Sequence, residues 1–137
     1  MTRDEAIAMT ETFHVRTTQE ETTMDLALFS NTNRQRCQAP EGFNHKLSDW
    51  SLSDWFMATM GELGEAANVA KKLNRVRDGI PGNKESPFQL RDQLARELAD
   101  TFIYLDLLAQ AAGIDLAHAV RDTFNAKSEQ IGAPHRI

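Results

Sequence analysis

Two pairs of acidic residues in this 137-residue sequence have a spacing that suits metal chemistry. Glu62 and Glu65 lie in GELGEAANVAKK, and Glu97 and Asp100 lie in RELADTFIYLDLLA. Residues three apart lie close together on one side of an α-helix, so each pair predicts two carboxylates that repel each other unless a cation lies between them. Two such pairs facing each other would form an all-oxygen site that suits Mg²⁺ or Mn²⁺. We therefore predict a divalent-cation site built from these four acids.

The residues around both pairs favour this interpretation. Gly61 and Gly64 each directly precede one acid of the first pair, and glycine inside a helix costs about 1 kcal/mol relative to alanine. We therefore expect the two glycines to allow a neighbouring helix to approach closely. Glu97 and Asp100 lie in a strongly apolar stretch, where an uncompensated carboxylate is costly. The alternative is that both pairs lie on solvated helix faces, as most single pairs with this spacing do.

Basic and aromatic residues offer contacts for an anionic ligand. Lys71 and Lys72 follow Glu65 by one to two helical turns, and Lys127 lies on the last predicted helix, so all three are candidates to bind phosphates. Lysines at helix ends are, however, more often solvated or paired with the helix dipole. The candidates to grip or stack on a base or sugar are Arg34, Arg36, Trp50 and Trp55. The helical spacing around Trp55 fits a core position at least as well.

Three capped helices are predicted to position these residues. Ser51, with Asp54 three residues later, predicts a helix that continues to about residue 77, and residues 78–86 have the composition of a turn. Ser86 predicts the start of a helix over 87–112 that stops before Gly113. Asp115 predicts the start of a last helix that ends near residue 130.

The N-terminal third has weaker signals. Residues 3–13 and about 20–37 have a helical pattern that threonines interrupt, and residues 37–47 have the composition of a loop. The sequence contains no alternating pattern of the kind that indicates a β-strand. We therefore predict an all-α fold in a single domain, with three clear helices preceded by one or two weaker ones. The segment 101–113 is apolar on nearly every side, so we also expect a homodimer or homotetramer.

Composition limits the location and the partners. The net charge of −5 leaves no broad basic surface for nucleic acid or an anionic membrane. The single cysteine, Cys37, has no partner for an internal disulfide, and the four histidines lack a zinc-site spacing. No apolar run approaches the roughly 18 residues of a membrane helix, and the N-terminus lacks a signal-peptide core. We therefore predict a cytoplasmic protein.

Three segments in order, GELGEAANVAKKLNR, ELADTFIYLDLLAQAAGIDL and FNAKSEQIG, resemble the MazG-like all-α nucleoside triphosphate pyrophosphohydrolases. The likeness is to the small single-domain forms of phages and bacteria, and it covers about residues 30–132. It implies a four-helix-type bundle core over 24–132, with residues 1–23 as an extension without a clear counterpart. It further implies a dimer or tetramer that hydrolyses a (deoxy)nucleoside triphosphate to the monophosphate and pyrophosphate. A phage-encoded enzyme would act in the host cytoplasm.

The resemblance also implies roles for individual residues. Glu62, Glu65, Glu97 and Asp100 would bind two or three Mg²⁺ ions, which Mn²⁺ would replace, and one glutamate would orient or deprotonate the attacking water. The residues that would contact the nucleotide or its phosphates are Asn125, Lys127, Lys71 and Lys72. The likeness to phage forms favours a purine deoxynucleotide such as dGTP or dATP. The interval between the two acid pairs is longer than is common in the family, which predicts a longer surface loop at 78–86.

Two other functions are compatible with part of the pattern. A non-enzymatic helical interaction module would use the acids only for solubility, so Mg²⁺ would not affect it. A ferritin-like di-metal carboxylate bundle requires Glu-x-x-His pairs, and neither Glu65 nor Glu97 has a histidine three residues later. The nearest match, Asp115 and His118, is better interpreted as a helix cap.

Overall fold

The computed structural model describes residues 24–137, and the regular secondary structure of this part of the chain is entirely helical, with no β-strand. Its four α-helices are α1 (Leu26–Gln38), α2 (Leu52–Arg77), α3 (Pro87–Ala111) and α4 (Leu116–Gln130), and a short 3-10 helix covers Leu47–Asp49. The all-α prediction is confirmed, whereas the helix predicted over 3–13 and the extension 1–23 lie outside the described residues. No single helix within 24–137 is long and apolar enough to cross a membrane, although α3 and α4 taken together, as a bent pair, pass that test of length and composition.

Two helices begin at the capping boxes that the sequence predicts. At the start of α2, the Asp54 carboxylate accepts a hydrogen bond from the Ser51 backbone N–H (2.9 Å), and the Ser51 hydroxyl accepts one from the Asp54 N–H (3.2 Å). At the start of α3, Gln89 and Ser86 exchange the same two bonds, at 2.8 and 3.2 Å. Each box satisfies two N–H groups that the helix itself leaves without partners.

The remaining boundaries show one difference from prediction. Helix α1 begins at Leu26, later than expected, because the Asp25 carboxylate caps it by accepting from the Ala27 N–H at 2.7 Å. Helix α3 ends as predicted just before Gly113, whose φ of 71° suits glycine. The Asp115 cap of α4 is confirmed, since its carboxylate accepts from the His118 N–H at 3.0 Å.

Backbone contacts divide the described residues into two compact units. The first covers Met60–Thr101, which includes the second part of α2, the turn at 78–86 and the first part of α3. Its buried apolar side chains are Ala66, Val69 and Leu90. The second unit covers Met24–Thr59 and Phe102–Ile137. Its core is the cluster of Cys37, Trp55, Leu107 and Leu108.

A buried polar network lies beside the core of the second unit. The Asp106 side chain is fully buried and accepts hydrogen bonds from the Asn33 and Gln110 amides, both at 2.9 Å, and from the Ser30 hydroxyl. These donors offset the cost of removing a carboxylate from water. The sequence marks Asp106 as an exception in an apolar helix but does not identify the donors on α1.

The helix-interior glycines do not have the role predicted for them. Apart from the adjoining residues of α2 itself, a Cβ atom added at Gly61 or Gly64 would have no atom of residues 24–137 within 4 Å, so no other helix of this part of the chain approaches them closely. The prediction of close packing at these glycines is therefore wrong here. The physical reason is that α2 buries a different face in this unit, the one that carries Ala66 and Val69.

Replacement of Gly64 by alanine is expected to stabilise the protein by about 0.5–1 kcal/mol, because the added methyl group has space and alanine favours the helix. The measurement is the free energy of unfolding in urea. The matched control is Gly113→Ala, where the Cβ also has space but φ is 71°, so we expect a loss of about 1 kcal/mol. Destabilisation by Gly64→Ala would contradict an open helix face.

Candidate metal centre

The first unit brings three of the four predicted acids together. Glu62 and Glu65 lie one turn apart on α2, and Glu97 lies on α3. Each of them offers a carboxylate oxygen, and the three oxygens lie within 4.8 Å of one another. Glu62 and Glu97 are partly buried, and Glu65 is exposed. Sequence spacing predicted each pair, and the tertiary structure places Glu97 opposite the first pair.

Asp100 lies outside this group but acts on it electrostatically. The pKa of Glu62 is raised above its usual value of 4.5, first by desolvation and then by the negative charges of the other three acids, of which Asp100 has the largest effect. The pKa of Glu97 is raised by desolvation, by Glu65 through its charge and a hydrogen bond, and by Asp100, while Arg96 opposes the shift. The four acids therefore share one electrostatic environment.

The donor set suits a hard divalent cation. Carboxylate oxygens are the ligands that Mg²⁺, Mn²⁺ and Ca²⁺ prefer in proteins. Opposite ligands of Mg²⁺ lie about 4.2 Å apart, so a small rotation of the three side chains would close the group on the ion. A bound cation would also offset the mutual repulsion of these carboxylates, which adds to desolvation in raising the pKa of Glu62 and Glu97. These acids thus fit a metal centre by chemistry and by separation.

The raised pKa values predict a pH-dependent stability in the absence of metal. Glu62 and Glu97 ionise less readily in the folded than in the unfolded chain, so their contribution to stability is present below about pH 4.5 and is lost as pH rises through the folded-state pKa. We expect Glu62→Gln to melt close to wild type at about pH 4 and at a higher temperature than wild type at about pH 7. Melting curves in a chelator measure this difference. A wild-type melting temperature above that of Glu62→Gln at pH 7 would contradict this prediction.

The two candidate phosphate-binding lysines of the first unit differ in their contacts. Lys71 is exposed on α2. The Nζ atom of Lys72 lies 2.5 Å from Oε1 of Glu85, which belongs to the turn between α2 and α3. The Asn83 amide also donates to the Lys72 carbonyl oxygen at 2.8 Å. Lys72 therefore pairs with a carboxylate that the sequence analysis did not identify, because no helical spacing links residues 72 and 85.

The candidate aromatic residues belong to the second unit and have different environments. Trp55 is only 1% exposed, and its indole N–H donates to the Leu47 carbonyl oxygen at 3.0 Å. Its ring is therefore a core element, and the predicted stacking role for Trp55 is not supported. Trp50 is 38% exposed and makes edge contacts with Trp55 and His45, at centroid distances of 4.7 and 4.6 Å.

The polar candidates of the second unit all have local contacts. The Asn125 amide donates to the Ile137 carbonyl oxygen (2.9 Å) and accepts from the Ile137 N–H (3.0 Å). Lys127 donates to the Gln130 side chain at 2.7 Å. Arg34 donates to Asn31 at 3.2 Å, and the Arg36 guanidinium lies 5.6 Å from the centre of the Phe43 ring. Their proposed contacts with a nucleotide remain predictions.

Comparison of the chain with protein-family models, with curated proteins and with solved structures found no match. The residues of the carboxylate group and their surroundings are therefore the basis for a functional assignment.

Proposed function

We propose that this protein is a metal-dependent nucleoside triphosphate pyrophosphohydrolase that converts a (deoxy)nucleoside triphosphate to the monophosphate and pyrophosphate. The observation that carries the proposal is the convergence of Glu62, Glu65 and Glu97 oxygens within 4.8 Å. The order of the acid pairs, lysines and Asn-x-Lys segment, which resembles the MazG-like enzymes, supports this reaction class. The same resemblance favours a purine deoxynucleotide such as dGTP or dATP.

In this proposal the carboxylates bind and orient, and they form no covalent bond with the substrate. Glu62, Glu65, Glu97 and Asp100 hold the cations, and one of the glutamates orients the attacking water or accepts its proton. Bound Mg²⁺ or Mn²⁺ supplies charge neutralisation for the phosphates and a lower pKa for water. The pKa of Glu62 and of Glu97 is raised first by desolvation and then by the negative charge of the neighbouring acids, which a cation would offset.

The proposal includes a homodimer or homotetramer. In the first unit, Met60, Leu63 and Leu98 are large apolar side chains that remain exposed. In the second unit, several more are exposed, among them Phe56, Met57, Phe102, Leu105, Val120 and Phe124. So many exposed apolar groups in a small protein favour burial against another copy. Light scattering is expected to give a mass of two or four chains, and a monomer would contradict this part of the proposal.

The experiment that tests the reaction is a panel of NTPs and dNTPs incubated with Mg²⁺ or Mn²⁺, with products separated by ion exchange. We expect monophosphate and pyrophosphate in equal amounts, with the highest rate for a purine deoxynucleotide. Release of orthophosphate would contradict the reaction, and undiminished turnover in Asp100→Asn would contradict the proposed role of that acid. An interaction module would instead show no turnover and no change in melting temperature with Mg²⁺.

A further inference from the structure

Lys72 on α2 forms an ion pair with Glu85, which belongs to the turn of the first unit. The two side chains form an ion pair with an N–O distance of 2.5 Å, and they remain 41% and 25% exposed. The hydrogen bond from Lys72 is the main reason why the pKa of Glu85 is lowered. An ion pair with this exposure is weak, because water competes for both charges.

Lys72 lies on the face of α2 that carries the acids. It follows Glu65 by seven residues, which is two helical turns and about 10 Å along the helix axis. Lys71 lies one residue earlier and is therefore rotated by about 100° around the axis. A polyphosphate whose oxygens bind a cation at the carboxylate group would extend along this face toward Lys72.

The turn has anchors other than the ion pair. Asn83 donates to the Lys72 carbonyl oxygen, and the Arg75 guanidinium donates to the Pro81 carbonyl oxygen. The Ile80 N–H also donates to the Arg75 carbonyl oxygen, at 2.9 Å. These bonds do not involve the Lys72 ammonium group, so the ammonium group can leave Glu85 while the turn remains attached to α2.

We propose that Glu85 competes with a polyphosphate for Lys72 and so acts as a positioning residue that weakens ligand binding at the carboxylate group. This inference rests on the proposed function. In the free protein, the ammonium group pairs with Glu85. In the complex, it pairs with a phosphate oxygen and the Glu85 carboxylate faces solvent. Re-formation of the ion pair between Lys72 and Glu85 competes with pyrophosphate for the ammonium group and so favours product release.

The test measures the affinity for inorganic tripolyphosphate in saturating Mg²⁺ by calorimetry. Glu85→Gln is expected to bind about 1.5- to 5-fold more tightly than wild type, which is the range for an exposed ion pair. Lys72→Gln is expected to bind more weakly. Adding Glu85→Gln to Lys72→Gln is expected to change nothing further, because the competition acts through the lysine.

Two controls separate this competition from other effects of Glu85. Asp78→Asn removes a carboxylate of the same turn that pairs with Arg77, at 2.7 Å, and it should leave the affinity unchanged. Glu85→Asp keeps the negative charge and should retain an affinity close to wild type. Melting curves of all variants establish that each is folded at the temperature of the measurement.

Three results would overturn the inference. Unchanged or weaker binding by Glu85→Gln would show that Glu85 does not compete for Lys72. If Glu85→Gln raised the affinity for tripolyphosphate equally in the wild-type and Lys72→Gln backgrounds, the effect would be a long-range charge effect and not competition for Lys72. Failure of the wild type itself to bind the magnesium–tripolyphosphate complex would contradict the proposed function and this inference with it, and the wild-type measurement alone distinguishes that case.

Discussion

Replacement of Glu97 by glutamine is expected to lower the rate of pyrophosphate release by more than about 100-fold. Loss of a residue that only supports a metal ligand typically costs 10- to 100-fold, and Glu97 is itself a proposed ligand. Glutamine has nearly the same shape as glutamate but carries no negative charge for the cation. The measurement is steady-state turnover of the best substrate from the nucleotide panel, at saturating Mg²⁺.

The control for Glu97→Gln is Asp92→Asn, which neutralises an exposed carboxylate of α3 outside the acid group and should retain wild-type turnover. A second measurement is the stabilisation of the folded protein by Mg²⁺, determined from melting curves. Mg²⁺ at about 100 times its Kd should stabilise the wild type by about 2.7 kcal/mol, because it binds only the folded state. Glu97→Gln should lose most of this stabilisation. Turnover of Glu97→Gln within a few-fold of wild type would remove Glu97 from the metal centre.

Replacement of Trp55 by alanine is expected to destabilise the protein by about 3–5 kcal/mol, the usual cost of removing a large buried aromatic side chain. Trp55 is only 1% exposed, contacts the cluster formed with Cys37, Leu107 and Leu108, and donates to the Leu47 carbonyl oxygen. Truncation leaves a cavity and an unpaired carbonyl group. Urea unfolding measures the change, with an unaltered m-value as evidence that two-state behaviour persists.

Trp50→Ala is the matched control for the core position. Its ring is 38% exposed and retains water on one side, so we expect a cost nearer to 1 kcal/mol, mainly from the lost contacts with His45 and Trp55. Equal costs for the two tryptophans would contradict the assignment of Trp55 to the core and Trp50 to the surface.

The starts of α2, α3 and α4 could be predicted from the sequence because their causes are local, whereas the start of α1 at Leu26 was not predicted. Ser51 with Asp54, Ser86 with Gln89, and Asp115 each satisfy N–H groups within three residues of themselves. The end of α3 before Gly113 has an equally local cause, a backbone conformation that glycine adopts readily. Short-range rules of this kind need no knowledge of the rest of the chain.

The contacts of individual side chains could not be predicted with the same success. The free-energy cost of Gly61 and Gly64 in a helix can be estimated from the sequence, but the sequence does not say which face of α2 becomes buried. Trp50 and Trp55 are the same residue type five positions apart, and packing buries one of them. The pairing of Lys72 with Glu85 joins a helix to a turn thirteen residues later, which no periodic pattern encodes.

By itself, the sequence determined the all-α class, the helix caps and the two pairs of neighbouring carboxylates, because hydrophobic periodicity, capping and i,i+3 spacing act within a few residues. Only the tertiary structure decided that Glu97 meets Glu62 and Glu65 within 4.8 Å, that Asp100 stands just outside this group, and that Lys72 is held by Glu85. The physical reason is that these contacts join separate elements. Their distances depend on which helix faces pack together, a property of the whole folded unit.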